Sequence, residues 1–203
     1  MKTQSHRVIA LASGLLFSSA ALAQDSASVL RATSAPSVTF IGSGCEQNSG
    51  ADTHWEGGTL VVNFGTMVAE KGAGISLLGS RKTCSVTLDL NVPQGLSYAL
   101  VGHAAIGYDD LSASDTRTLT VTNFFQGQET TASVKSTVTG PRTGNYFSRH
   151  QNTAAETVWS PCNLARAHTI TAAVRVGSGE NSDVSSLSAL DGLRLNFRVK
   201  PCN

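Results

Sequence analysis

The chain of 203 residues is 40% hydrophobic and only 14% charged, with a formal net charge of +1. That near-neutral balance lacks the basic footprint of a general nucleic-acid binder. No segment stays apolar over the ~20 residues that a helical membrane span requires.

Lys2, His6 and Arg7 precede an apolar stretch from Val8 to Phe17, and Ala21-Leu22-Ala23 supplies the small residues of a cleavage site. The pattern predicts a secretion signal over residues 1–23, with Gln24 as the new N-terminus and delivery to a periplasm or the cell exterior. No cysteine follows the cleavage site, which argues against a bacterial lipid anchor. Removing the signal takes Lys2 and Arg7 and leaves 13 cationic against 14 acidic side chains, net −1. The remaining 180 residues suffice for one domain with a sizeable core. Residues 24–35 are small, polar and aperiodic and read as a flexible leader. Pro36 marks the start of a single domain over residues 36–203.

From there the apolar residues recur with period two, the signature of half-buried strands. Val38–Ile41 is a short candidate, and Leu60, Val62 and Phe64 share a face. Between Cys84 and Val92, Cys84, Val86, Leu88, Leu90 and Val92 oppose Ser85, Thr87, Asp89 and Asn91. Val92-Pro93-Gln94-Gly95 then places proline second and glycine fourth, as a type I turn prefers. Leu96, Tyr98 and Leu100 continue the alternation, so a hairpin is predicted. Further strands are expected over Thr118–Phe125, around Ala132, Val134 and Val138, over Tyr146–Arg149, from Ile170 to Val176 and from Leu193 to Val199. Ser112–Asp115 and Ser185–Asp191 each have room for one helical turn. About nine or ten strands at this spacing predict an all-β fold, an antiparallel β-sandwich of jelly-roll type.

An even number of cysteines in an exported chain predicts disulfides. Cys45, Cys84, Cys162 and Cys202 allow three pairings, and sequence does not decide between them. The pairing adopted as an expectation is Cys45–Cys84 with Cys162–Cys202, two similar sequence-local loops, each worth about 4 kcal/mol on the chain-entropy model. A four-thiolate zinc site would need paired CxxC-like spacing, which is absent.

Six pieces of the chain, in order, carry a resemblance. They are Gly42-Ser43-Gly44-Cys45, Ser80-Arg81-Lys82-Thr83-Cys84, Pro93-Gln94-Gly95-Leu96-Ser97-Tyr98, Gly107-Tyr108-Asp109-Asp110-Leu111, Gly140-Pro141 with Gly144-Asn145-Tyr146, and Val158-Trp159-Ser160-Pro161-Cys162. Together with the four cysteines they resemble the secreted bacterial and fungal proteins known as domain of unknown function 4360, over about residues 37–202. Glu46 departs from the proline expected after the first cysteine. The resemblance implies secretion and a disulfide-stapled β domain, and no activity.

No constellation specifies a reaction or a cofactor. His54, His103, His150 and His168 form no HxH, HExxH or HxxxH pair, so no local metal site is expected. Gln24 in place of an N-terminal histidine argues against copper oxygenases of the secreted β-sandwich type. His168 falls in phase with Ile170 and Ala172, and His103 with Ala99 and Val101, so both read as core histidines. Tyr108-Asp109-Asp110 with Asp115 is the densest acidic cluster; hard oxygen ligands suit calcium, but without EF-hand spacing these residues read as a turn. There is no GxSxG elbow, Ser43 belongs to a turn before a bridged cysteine, and Gly72-Ala73-Gly74 is a loop without a phosphate-binding lysine. Arg194, Arg198 and Lys200 form a basic stripe that reads as a solvated strand face, with an anionic polymer as the alternative. Trp55 beside His54 in the Gly-rich stretch 52–58, with Tyr108 and Tyr146 in loop-like contexts, are the candidates for stacking on sugar rings.

The binding candidates are therefore Trp55, His54, Tyr108, Asp109, Asp110 and Tyr146. The function read from these residues is a non-catalytic secreted module that binds a carbohydrate, another cell-surface polymer or a protein. The alternatives are an extracellular hydrolase whose acids assemble only in three dimensions, and a structural or inhibitory protein.

Overall fold

The computed structural model describes residues 37–56, 58–90, 92–177 and 184–202. The expected signal over residues 1–23, the leader over residues 24–35 and Pro36 lie outside the described residues. Eleven strands and no helix occupy the described chain.

They form two antiparallel sheets. The first runs β1 (Ser37–Ile41), β5 (Arg81–Asp89), β10 (His168–Gly177), β7 (Thr116–Phe125) and β8 (Thr131–Thr139) in spatial order. The second runs β2 (Asp52–Glu56), β3 (Thr59–Asn63), β11 (Ser186–Pro201), β6 (Leu96–Leu111) and β9 (Arg142–Gln151), and β4 (Val68–Lys71) pairs with the beginning of β11. The inward side chains of both sheets meet in one apolar core. Val86, Leu88, Leu119, Val121, Ile170 and Val174 come from the first sheet; Leu60, Val62, Leu100, Leu193 and Leu195 come from the second. Burying each of these side chains contributes roughly 1.5–3 kcal/mol, which makes the facing apolar stripes the main reason the two sheets stay together.

Several sequence expectations are met and several are corrected. Both expected disulfides are present, Cys45–Cys84 with Cα atoms 5.5 Å apart and Cys162–Cys202 at 5.9 Å. No free thiol is left among the described residues to bind zinc. Such bridges belong to an oxidising compartment. Ser43 and the Gly72–Gly74 segment lie in turns, as expected.

The hairpin after Cys84 does not form. β5 belongs to the first sheet and β6 to the second, so the chain crosses the end of the sandwich between them. Both strands carry one apolar face and one polar face, and that pattern is satisfied equally by side-by-side pairing or by facing each other across a core. The connecting turn also starts one residue later than expected. Leu96 N donates to Pro93 O at 3.2 Å, and Gly95, with φ +82°, takes the third position. A positive φ there is what a type II turn requires, and glycine meets it without strain.

The segment Ser185–Asp191 is not a helical turn but the start of β11, paired with both β4 and β6. β6 runs to Leu111 and β11 to Pro201, sixteen residues each. A bulge after Leu190 and another after Asn196 shift the register between them. Each bulge moves the buried set from one residue parity to the other, which hides a long strand from a period-two search.

Candidate functional site

The six sequence candidates divide between the inside and the outside of the sandwich. Trp55 lies on edge strand β2 rather than in a loop, paired with Leu60 of β3. It is half-buried, packs against the core and sets its ring 6.1 Å from that of Phe197. Its neighbour His54 points to the opposite face, 3.8 Å from Asp52. Tyr108, Asp109 and Asp110 are not a turn but consecutive residues of β6, so they alternate between faces. Asp110 points outward and accepts a hydrogen bond from Thr143 Oγ1 at 2.9 Å.

Asp109 and Tyr146 face inward and belong to a buried polar network. Ser188 Oγ donates to Asp109 Oδ1 at 2.7 Å. Arg117 Nε and Arg142 Nε lie 3.2 and 3.3 Å from the same carboxylate, close enough to balance its charge although their N–H groups are not aligned for hydrogen bonds. The Arg117 guanidinium lies 4.1 Å above the Tyr146 ring, and Tyr146 Oη donates to Ala189 O at 3.0 Å. Burial pushes the Tyr146 hydroxyl up to about 12, which keeps it a donor. Gly107 makes this packing feasible, since a Cβ there would come within 2.1 Å of Ala189 O and 2.6 Å of Tyr146 Oη. Asp115 sits in a second buried pair, with Lys71 Nζ at 2.7 Å and Ser186 Oγ donating at 2.6 Å. The acidic cluster read from sequence is thus divided among partners within the fold: Asp109 and Asp115 are each matched by cations of the chain itself.

His168 and His103 are both buried, as expected, although the bulge at Val101 puts His103 on the opposite face of β6 from Ala99. His168 is fully buried in an aromatic nest, stacked on Phe125 with centroids 4.2 Å apart, and its Nε2 lies 3.2 Å from Asn123 Oδ1. Desolvation lowers its pKa to about 3. The basic stripe of β11 is largely occupied: Arg194 Nη2 bonds Glu56, and Lys200 Nζ lies 4.1 Å above the Trp159 ring.

A surface that sequence reading did not single out is the outer face of the first sheet. Outward positions of β7 carry Thr116, Thr118, Thr120 and Thr122, and β-branched side chains suit such pleated positions. Neighbouring strands continue the pattern with Ser85 and Thr87, Thr169 and Thr171, Ser133 and Thr137. Hydroxyls pair across strands: Ser85 with Thr171 at 2.8 Å, Thr87 with Thr169 at 3.1 Å, Thr122 with Ser133 at 3.2 Å.

One row breaks the pattern. Thr83, Ala173, Thr120 and Lys135 lie side by side, and the small Ala173 leaves a hollow. The resulting concavity has a volume of about 310 Å³ and extends to Arg81 and Arg175. These two arginines are directly opposite each other in the β5–β10 register, and both are exposed. The concavity is lined by Arg81, Arg175 and Lys135 together with threonines and Ala173, without a carboxylate. No ion pair engages these three cations among the described residues. Like charges facing each other across a strand pair destabilise a sheet by roughly 0.2–1 kcal/mol. The signal legible in sequence was the Thr-x-Thr-x-Thr-x-Thr run of β7; the arginine pair, from residues 94 apart along the chain, had none.

A family model described as Domain of unknown function (DUF4360) matches residues 32–202. The chain belongs to this family. A relative of Arthroderma benhamiae (strain ATCC MYA-4681 / CBS 112371), described as an uncharacterized secreted protein, is 27% identical over 140 residues. The match covers 68% of this chain but only 57% of that protein. Among solved structures, the DUF4360 chain is similar to TmCBM61 in complex with beta-1,4-galactotriose (12% identity, TM-score 0.32, 81% of this chain and 88% of that one). It is also similar to a CBM4 structure (13%, TM-score 0.26, 81% and 86%). A third is a family 11 carbohydrate-binding module from Clostridium thermocellum with a mixed-linked tetrasaccharide (9%, TM-score 0.26, 79% and 83%). Likeness at this level says nothing about what this chain binds.

Proposed function

We propose that this DUF4360 protein is a secreted, non-catalytic binding module for acidic polysaccharide, and that the outer face of its first sheet is the binding surface. The observation that carries the reading is the Arg81–Arg175 pair with Lys135 on a hydroxyl-lined concavity without a carboxylate. Side chains of like charge held together lower their energy when an anion arrives. Guanidinium groups suit this role because their planar forks match carboxylates in pairs of parallel hydrogen bonds. The threonine rows supply donors and acceptors for sugar hydroxyls. From β5 to β8 the surface crosses three strand spacings, roughly 14 Å, long enough to follow a chain rather than a single unit. The two disulfides and the secreted relative support action outside the cytosol.

Titration calorimetry with polygalacturonate at low salt tests the reading. Binding that weakens by tenfold or more in the Arg81→Gln/Arg175→Gln double variant, and that fades with added salt, is expected. Equal binding by the double variant, or none by the native chain to any acidic glycan, refutes it. A preference for uncharged glycan abolished by Phe147→Ala would move the site to the second sheet, where Phe147 is 58% exposed beside Ile106.

A further inference from the structure

Where edge strands β8 and β9 part at one side of the sandwich, a cleft of about 140 Å³ enters between the sheets. That is ample beside the ~30 Å³ share of a water molecule. His103 of β6 and His150 of β9 are directly opposite in register, their rings 5.7 Å apart and inclined by 33°. Ser136 and Ser148 bring hydroxyls, Lys135 and Arg149 bring positive charge, and none of the lining residues is acidic.

Two features of the histidines set the cleft's base. His103 is 95% buried (5% exposed), yet its Nδ1 has no hydrogen-bond partner. A buried imidazole nitrogen without a partner is unfavourable. His150, in contrast, is held from behind: its Nε2 lies 3.0 Å from Glu156 Oε2. The same oxygen accepts from Thr153 N at 2.8 Å and Thr153 Oγ1 at 3.0 Å. Glu156 is thereby committed to orienting His150 and does not compete for a ligand in the cleft.

We propose that this cleft is a ligand site for one sugar-acid unit, with His103 and His150 at its base and Lys135 and Arg149 taking the carboxylate. The unit is either a free sugar acid or the end of an acidic glycan. The cleft and the sheet face share only Lys135, so either site stands without the other. The cleft also responds to pH. Burial and the neighbouring His150 hold His103 at about 4, below the ordinary histidine value, while Glu156 acts in the opposite direction. The charged groups that act on it are His150 and Glu156, while Lys135 and Arg149 line the cleft from exposed, outward positions of β8 and β9. A bound anion favours the protonated imidazole, so binding takes up protons and strengthens as pH falls.

The test is a titration of the isotope-labelled secreted chain with sodium galacturonate, followed through the imidazole nitrogen signals. Saturable shifts of His103 and His150 are expected, absent with galactose, tighter at pH 5.5 than at pH 7.5, and unchanged in the Arg81→Gln/Arg175→Gln variant. Ser148→Leu should fill the cleft and abolish the shifts, and His103→Asn should weaken binding at least tenfold. Retained melting temperatures show that these variants fold; if His103→Asn does not, Ser148→Leu alone decides. Tighter binding of trigalacturonate than of the monomer assigns the cleft to a glycan end, and equal binding assigns it to the free acid. Histidine signals that stay fixed at tens of millimolar galacturonate overturn the proposal. So do shifts that disappear in the double arginine variant.

Discussion

Two groups of cations in this protein have opposite surroundings. At the buried end of the sandwich, Arg117 and Lys71 are 2% and 8% exposed and each contacts a carboxylate, Asp109 or Asp115. On the outer face of the first sheet, Arg81, Arg175 and Lys135 are exposed and share a concavity without one. The contrast follows from solvent. Burying an unmatched charge costs several kcal/mol, so the interior tolerates cations only with partners. On the surface, water screens repulsion, and a like-charged pair survives at small cost. Inner charges are therefore spent on the fold, whereas outer charges remain available to a ligand. The outer face of the second sheet is intermediate: Arg194 pairs with Glu56, whereas Lys200 and Arg149 lie over the rings of Trp159 and Phe147.

The contrast breaks most easily inside. Asp109→Ala leaves Arg117 buried without its counter-charge and should cost about 3–5 kcal/mol in urea unfolding. A loss below about 1 kcal/mol would mean that water reaches Arg117 and that the two regions do not differ in kind.

Acid probes the interior a second way. His168 has a folded pKa of about 3 against an ordinary value of 6.5, so it contributes stability above pH 6.5. Below that, the unfolded chain binds the proton and the folded chain does not, and the contribution is lost as pH falls toward 3. At about 1.4 kcal/mol per unit, the loss at pH 4 is on the order of 3 kcal/mol. The measurement is the pH dependence of unfolding for the native chain and His168→Leu; parallel curves between pH 6.5 and 4 would remove His168 as the cause.

The outer face should behave in the reverse sense. Arg81→Gln, by relieving the facing charges, should leave stability unchanged or raise it by up to about 1 kcal/mol, while weakening polygalacturonate binding. A clear destabilisation would show that Arg81 has a structural partner. Smallest of all, Arg194→Ala removes a surface ion pair and should change stability by no more than about 0.5 kcal/mol, seen as a shift in thermal midpoint.

Much of the fold is legible along the chain. The alternation at Cys84–Leu90, Ile170–Val176 and Leu193–Val199 marks strands, and each aligns its apolar set with the core. Trp55 shows where legibility stops. Its strand is five residues long, polar at the outward positions and placed at a sheet edge, so neighbouring glycines dominate its local pattern. Tyr108 to Asp110 failed for another reason: aspartates are common turn formers, and only burial against Arg117 explains them within a strand. The candidate face is less legible still. Arg81 and Arg175 become neighbours through the β5–β10 register, while His103 meets His150 through that of β6 and β9.

Period-two patterning is a property of neighbouring residues and cysteine parity a simple count, and for that reason the linear chain alone determined an all-β, cross-linked architecture. Which strand lies beside which is a property of the closed structure. β5 and β6 satisfy the same alternation as a hairpin or as members of opposite sheets, and only joint burial of both apolar faces in one core selects the second. The same selection aligns Arg81 with Arg175 and His103 with His150, so the surfaces on which function is proposed are products of tertiary pairing.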